Sequence, residues 1–214
     1  MLVSFSFLDL DKKDIEKSFL DLEKINSKYQ IHFDVMDGKF VEKKTYGALM
    51  LKEVSQITSL FKDVHLMVEN PKNVIDEYIE QNPEQITVHY EACDQSEILK
   101  IIEKLRQKNI RVGLSIKPET SIEVLNKFLD KIDLVLVMSV NPGRGGQKFI
   151  KKTFKRVKKL SALKEKYNFK ISVDGGVNPK NSKKLKKAGC DVIVIGSYLV
   201  DNGINKESIY KLVN

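Results

Sequence analysis

Cysteine occurs only twice in the chain, at Cys93 and Cys190, and neither has a second thiol near it in sequence. That excludes a thiol-based metal or redox motif, and a reduced, cytoplasmic setting is expected. Proline (5) and glycine (11) are too few in 214 residues for a fibrous repeat or a disordered chain. No apolar run reaches the roughly 18 residues of a membrane-spanning helix. The opening Met1-Leu2-Val3-Ser4-Phe5 carries neither the basic region nor the cleavage site of a secretory signal. No membrane partner is expected.

What is present is an ordinary globular composition, 42% hydrophobic and 31% charged. The length suffices for one well-buried core and not for two generous domains, so one domain over residues 1–214 is expected. The formal net charge of +8 comes almost wholly from lysine. These lysines recur at helical spacing, as in Lys151-Lys152, Lys155, Lys158-Lys159 and again in Lys183-Lys184, Lys186-Lys187. They read as a solvated outer face rather than a stacking platform, and no nucleic-acid partner is expected.

Short β-branched or near-continuously apolar runs occur at Val3–Leu8, Ile31–Met36, Val64–Val68, Gln85–His89, Arg111–Ile116, Leu134–Val140, Lys170–Val173 and Val192–Ile195. Such runs suit parallel strands buried on both faces. Between them, apolar residues fall at helical spacing. Ile15, Phe19, Leu22 and Ile25 form one stripe behind Asp11 as a candidate N-cap, and Ile98, Ile101, Ile102 and Leu105 form another. Ile122, Leu125 and Leu129 follow Ser121, and Phe154, Val157 and Leu160 follow Thr153. Asn178-Pro179 reads as N-cap and first residue of a seventh helix, and Ile204–Val213 as the last. Strict alternation over eight units of about 25 residues predicts an α/β fold of the (β/α)8 barrel type.

In such a barrel, chemistry gathers where strands end and the following loops begin. The chain has three histidines, and all fall in predicted strands: His32, His65 and His89. Carboxylates accompany them at Asp34, Asp37, Glu91 and Asp174. His32 and Asp34 are two apart and so point to the same side of a strand, while His65 and Asp174 could reach the same central space. Two imidazoles and two carboxylates make a mixed nitrogen and oxygen site suited to zinc, iron(II) or manganese. Asp37-Gly38 reads as a plain turn, and His89 with Glu91 as hydrogen-bonding support of the barrel end. Glycine-rich stretches follow the last three strands: Asn141-Pro142-Gly143-Arg144-Gly145-Gly146-Gln147, Asp174-Gly175-Gly176 and Gly196-Ser197. Backbone N–H groups exposed by glycine at three successive strand ends point to a bound phosphate.

These residues carry a resemblance. His32-Phe33-Asp34-Val35-Met36-Asp37-Gly38-Lys39-Phe40-Val41 resembles the signature of ribulose-phosphate 3-epimerases. Asp63-Val64-His65-Leu66-Met67-Val68, Val137-Met138-Ser139-Val140-Asn141-Pro142-Gly143, Gly145-Gly146-Gln147-Lys148-Phe149 and Val173-Asp174-Gly175-Gly176-Val177 follow in that family's order and spacing. Ser6-Phe7-Leu8 with Asp11 is similar to its first strand and turn. The resemblance spans essentially the whole chain and implies a single barrel of the ribulose-phosphate binding type.

It also implies roles. His32, Asp34, His65 and Asp174 would hold one divalent metal ion, and Asp34 and Asp174 would be the acid/base pair on the two faces of the reacting carbon. Ser6, His65, Gly143, Arg144, Gly145, Gly146, Gly175, Gly176, Gly196 and Ser197 would bind the substrate, with Met36, Met67 and Met138 capping an enediolate. The implied activity interconverts D-ribulose 5-phosphate and D-xylulose 5-phosphate in the pentose phosphate pathway, and a homo-oligomer is an expectation of the same kind. The chain departs from the family pattern at Phe5, at Glu42-Lys43 where Pro-Asn is usual, at Ser121, and at Arg144 where an aromatic residue is usual. Lys43 and Arg144 keep open a 3-epimerase of a six-carbon ketose phosphate such as D-allulose 6-phosphate. A catalytically silent sugar-phosphate-binding barrel is a further alternative. Related decarboxylases use Asp-x-Lys-x-x-Asp, and Asp34-Val35-Met36-Asp37 has no lysine in the required place.

Overall fold

The computed structural model describes residues 1–45 and 47–214. Eight parallel strands close into a barrel in chain order: β1 (Leu2–Ser6), β2 (Gln30–Met36), β3 (Phe61–Met67), β4 (Gln85–His89), β5 (Arg111–Ile116), β6 (Leu134–Met138), β7 (Lys170–Asp174) and β8 (Val192–Ile195), with β8 pairing back onto β1. The helices are α1 (Lys12–Ile25), α2 (Ala48–Ile57), α3 (Pro71–Ile79), α4 (Gln95–Gln107), α5 (Thr153–Leu163), α6 (Pro179–Ala188), α7 (Ser197–Asn202) and α8 (Lys206–Val213). Among the described residues no helix is long and apolar enough to cross a membrane.

The strands are buried on both faces, but the two faces differ in kind. Val3, Phe5, Ile31, Phe33, Val64, Leu66, Ile86 and Val112 belong to the main apolar cluster shared with the helices, including Phe19, Leu22, Leu105, Leu160 and Leu185. The alternate positions face the barrel interior, and on β1 to β4 most of these are polar: Ser4, Ser6, Gln30, His32, Asp34, Asp63, His65, Gln85, Thr87 and His89, all buried, with Met36 and Met67 at the strand ends apolar. The apolar runs that predicted the strands therefore report the outer, helix-covered face. Leu134, Leu136, Met138, Val140 and Val194 make a separate apolar patch, drawn from β6, the residues just past it, and β8, and Met36, Met67 and Val41 make another.

Several sequence expectations are corrected in detail. The first and sixth strands stop at Ser6 and Met138 rather than Leu8 and Val140. A Leu10 N–H to Phe7 carbonyl bond of 3.0 Å turns the chain after β1, and the Ser139 hydroxyl ties the end of β6 to the Asp174 and Gly175 carbonyls at 2.7 and 2.6 Å. After β5 the chain forms a 3-10 turn, Ile122–Lys127, instead of an α-helix. Ser121 makes no capping bond there, and Ile122, Val124 and Asn126 are weak helix formers in a segment of six residues. Asp11 likewise caps nothing with its side chain. Asn178 does cap as expected, accepting from Lys180 N–H at 2.9 Å, and its helix becomes the sixth α-helix because of the 3-10 turn. The chain end holds two helices rather than one, with Asn205 capping α8 through Ser208 N–H at 2.9 Å.

β4 and β5 approach closely at one place. A Cβ added at Gly113 would overlap the Thr87 hydroxyl and lie 2.8 Å from Thr87 Cβ. Gly113→Ala should therefore lower unfolding stability by about 1–3 kcal/mol, the usual cost of overpacking a filled interior. A denaturant midpoint equal to that of the unaltered protein would show that Thr87 does not fill this space.

Candidate active site

β2, β3 and β7 bring four side chains to one point near the C-terminal end of the barrel. One ligating atom from each of His32, Asp34, His65 and Asp174 lies within 4.8 Å of every other. Register explains the convergence, since Asp34 pairs with His65 across β2 and β3 and Met138 with Asp174 across β6 and β7. His32 Nε2 is 3.2 Å from His65 Nδ1, 3.5 Å from Asp34 Oδ1 and 4.0 Å from Asp174 Oδ2. His65 Nδ1 is 3.2 Å from Asp34 Oδ1, and the Ser6 hydroxyl donates to Asp34 Oδ2 at 2.6 Å.

Behind these four lies a shell that orients them. His32 Nδ1 is 3.0 Å from Asp63 Oδ2, and the other Asp63 oxygen accepts from Gln85 Nε2 at 2.8 Å and the Thr87 hydroxyl at 2.9 Å. On the far side, His65 Nε2 meets His89 Nε2 at 2.8 Å, and His89 Nδ1 meets Glu91 Oε2 at 3.2 Å. Glu91 Oε1 accepts from Lys117 N–H at 2.7 Å and from the Thr120 hydroxyl. With Nδ1–H of His89 directed at the Glu91 carboxylate, His89 Nε2 accepts from His65 Nε2–H. That leaves His65 Nδ1 with its lone pair toward Asp34.

The electrostatics follow from burial. Desolvation would lower His32, but the Asp34 and Asp63 carboxylates overcome it and hold the imidazole well above its ordinary value. Desolvation would raise Asp34, yet the charge of His32 and its hydrogen bond bring it below the usual carboxylate range. Asp63 is likewise lowered, its burial outweighed by His32, Gln85 and Thr87. Asp174 goes the other way: burial and the neighbouring Asp34 charge push it up to about 6. Burial, with the nearby His65 and Lys117 charges, outweighs Glu91 and drives His89 down to about 4, consistent with a neutral relay ring. Both raised groups reflect one cause: three carboxylates share an interior short of positive charge. A donor set of two imidazoles and two carboxylates, with oriented rings and that deficit, fits a divalent cation.

Above the cluster opens a cavity of about 330 Å³. Its wall includes Ser6, Asp34, Asp174 and the three methionines Met36, Met67 and Met138, and beyond them the glycine loops. Gly143, Arg144, Gly145, Gly146, Gly175, Gly176, Gly196 and Ser197 all line it, so the residues expected to bind substrate, His65 excepted, share one space. His32 and His65 are fully buried beneath it and absent from its wall. Glycine is needed at Gly176, where φ is +61° and a Cβ would meet the Gln147 carbonyl at 2.5 Å. The methionines are also packing residues: Met36 and Met67 sit with Val41, and Met138 with Leu136 and Val194. Three residues escaped sequence reasoning. Asp63 could have been found, since it is two residues before His65 on the same strand face. Asp9 and Asp201 on the cavity wall had no motif to mark them. The turn at Asp37-Gly38 is present, and Asp37 Oδ2 also accepts from Glu69 N–H at 2.8 Å, tying the loops after β2 and β3 together.

A family model described as the ribulose-phosphate 3 epimerase family matches residues 2–200. The ribulose-phosphate 3-epimerase of Bacillus subtilis is 36% identical over 97% of this chain and 93% of its own length. That of Helicobacter pylori strain J99 is also 36% identical, over 100% of this chain and 97% of the relative. Among solved structures, a mutant tryptophan synthase alpha-subunit from Pyrococcus furiosus superposes with a TM-score of 0.69 at 15% identity, covering 99% of this chain and 97% of that one. A 3-hexulose-6-phosphate synthase gives 0.68 at 15%, covering 100% and 98%. These two likenesses concern the fold.

In metal-free protein the Asp174 carboxyl should titrate near pH 6, followed by its carboxyl carbon resonance against an Asp174→Asn control. Protonation of this group as pH falls through 6 competes with a cation, so zinc affinity should drop over the same range. An Asp174 that stays ionised down to the ordinary carboxylate range would refute the charge deficit.

Proposed function

The chain belongs to the ribulose-phosphate 3-epimerase family, and from that membership we propose that it interconverts D-ribulose 5-phosphate and D-xylulose 5-phosphate by moving a proton at C3 between Asp34 and Asp174. The observation that carries this reading is the meeting of two carboxylates from β2 and β7 on one cavity, with opposed pKa directions. Inversion needs a base on one face of the carbon and an acid on the other, and groups whose environments drive their pKa values apart suit those tasks.

His32, Asp34, His65 and Asp174 would hold one divalent ion, zinc, iron(II) or manganese. When bound, it would place positive charge beside the substrate's ketone and adjoining hydroxyl oxygens, lowering the cost of the enediolate. The protein's own groups perform the rest. The Ser6 hydroxyl holds Asp34 Oδ2, the oxygen not turned toward the imidazoles, so this carboxylate has a fixed orientation for taking the C3 proton. Asp174 delivers a proton to the other face, and the two exchange roles in the reverse direction. Asp63 and His89 fix the rings of His32 and His65. Met36, Met67 and Met138 close an apolar wall that keeps water from the reacting carbons. Gly175, Gly176, Gly196 and Ser197, with Gly143, Gly145 and Gly146 opposite, present backbone at the end of the cavity that would take the phosphate.

Proton NMR of ribulose 5-phosphate in D2O with metal-loaded protein tests the reading. Xylulose 5-phosphate bearing deuterium at C3 is expected. Turnover of allulose 6-phosphate alone would shift the substrate to the six-carbon sugar and keep the chemistry, while silence on both would refute the activity. Asp34→Asn and Asp174→Asn should each lower turnover by about 10³-fold or more in a folded protein. Metal content is measured alongside, and ordinary turnover by either loaded variant would end the two-carboxylate mechanism.

A further inference from the structure

A phosphorylated sugar brings a group of about −1.5 to −2 charge at pH 7, yet the cavity wall is mostly of the same sign. Asp9, Asp34, Asp174 and Asp201 all line it, and Arg144 is the one cationic side chain among the described lining residues. Asp34 and Asp174 belong to the cation cluster at the inner end. The charge near the glycine loops is therefore set by Asp9, Asp201 and Arg144.

The backbone around Arg144 is held on every side. Gly143 has a φ of +116° and packs against Val41, whose Cβ would lie 2.9 Å from an added Cβ. Gly145 lies directly under the Asp9 carboxylate, which would have to swing aside to admit a Cβ. The Arg144 carbonyl accepts from Gln147 Nε2 at 2.8 Å, and Gly146 N–H donates to the Ser197 hydroxyl at 3.0 Å, so this loop reaches the segment after β8. The guanidinium itself has no hydrogen-bond or ion-pair partner among the described residues. Asp9 lies against the next residue in the chain, and its Oδ1 pairs with Lys43 Nζ at 3.7 Å.

We propose that Arg144 is a specificity-determining residue that recognises the phosphate of the substrate, and that Lys43 keeps it available by occupying Asp9. This rests on the sugar-phosphate reading of the cavity. Backbone N–H groups recognise an anion's oxygens, whereas a guanidinium adds net charge and a two-pronged hydrogen bond suited to phosphate. Lys43 and Arg144, two departures from the family pattern that share no motif, thereby act at one place.

The test uses the full chain loaded with a divalent ion. Arg144→Gln should raise KM for ribulose 5-phosphate about tenfold, the effect falling on KM rather than kcat, and weaken competitive binding of inorganic phosphate by a similar factor. It should also flatten the rise of KM with added salt, which a purely structural role would leave intact. Arg144→Lys should recover part of the affinity. Lys43→Gln should raise KM about two- to threefold, and adding Asp9→Asn should reverse that rise. Unchanged KM, phosphate affinity and salt dependence in Arg144→Gln would overturn the proposal, and a Lys43→Gln defect that persists with Asp9→Asn would overturn the part played by Lys43. Phosphate binding, read by calorimetry, needs no turnover, so it decides the role of Arg144 even if ribulose 5-phosphate proves not to be the substrate.

Discussion

Three carboxylates, Asp34, Asp63 and Asp174, stand inside the barrel with side-chain exposures of 7, 2 and 17%. Ionised groups that deep are tolerable only when paired or hydrogen-bonded. Much of the interior can be read as the response to that demand. Asp34 requires His32, His65 and the Ser6 hydroxyl. His32 requires Asp63, which in turn requires Gln85 and Thr87. His65 requires His89, and His89 requires Glu91. The polarity of β1 to β4 on their inner faces is the cumulative result, and it leaves room for only small apolar patches, one on the side of β6 and β8 and one of Met36, Met67 and Val41.

A second constraint acts at the mouth. The loops after β1, β2, β6 and β8 meet at glycines: Gly143 packs on the Val41 side chain, Gly145 lies under the Asp9 carboxylate, and Gly146 N–H bonds the Ser197 hydroxyl. Because the loop is braced by packing and by Gln147 rather than by Arg144, the arginine side chain is left free on a fixed base. The inner cluster and the outer glycine loops thus border one cavity.

Much of this was legible in the chain. The strand runs announced a barrel because their outer face must be apolar against helices. The spacing of His32 and Asp34, with His65 and Asp174 at other strand ends, announced a metal-like cluster. Less legible was the segment after β5, where helical spacing of Ile122, Leu125 and Leu129 is satisfied equally by a 3-10 turn packed on the same core. Asp11 looked like a cap by type and position, but capping depends on a side-chain geometry that residue type does not specify.

The sequence by itself determined the eight alternating units, the residue types of the site and the family to which the chain belongs, since each of these is carried by local pattern or by motif order. Tertiary structure decided what each residue faces. Strand register and barrel closure brought Asp34, His65 and Asp174 to one point, turned Asp63 into the partner of His32, and set Asp9, Lys43 and Arg144 side by side from three separate loops. Those are contacts between residues far apart in the chain, and distance along a chain carries no information about them until the sheet has closed.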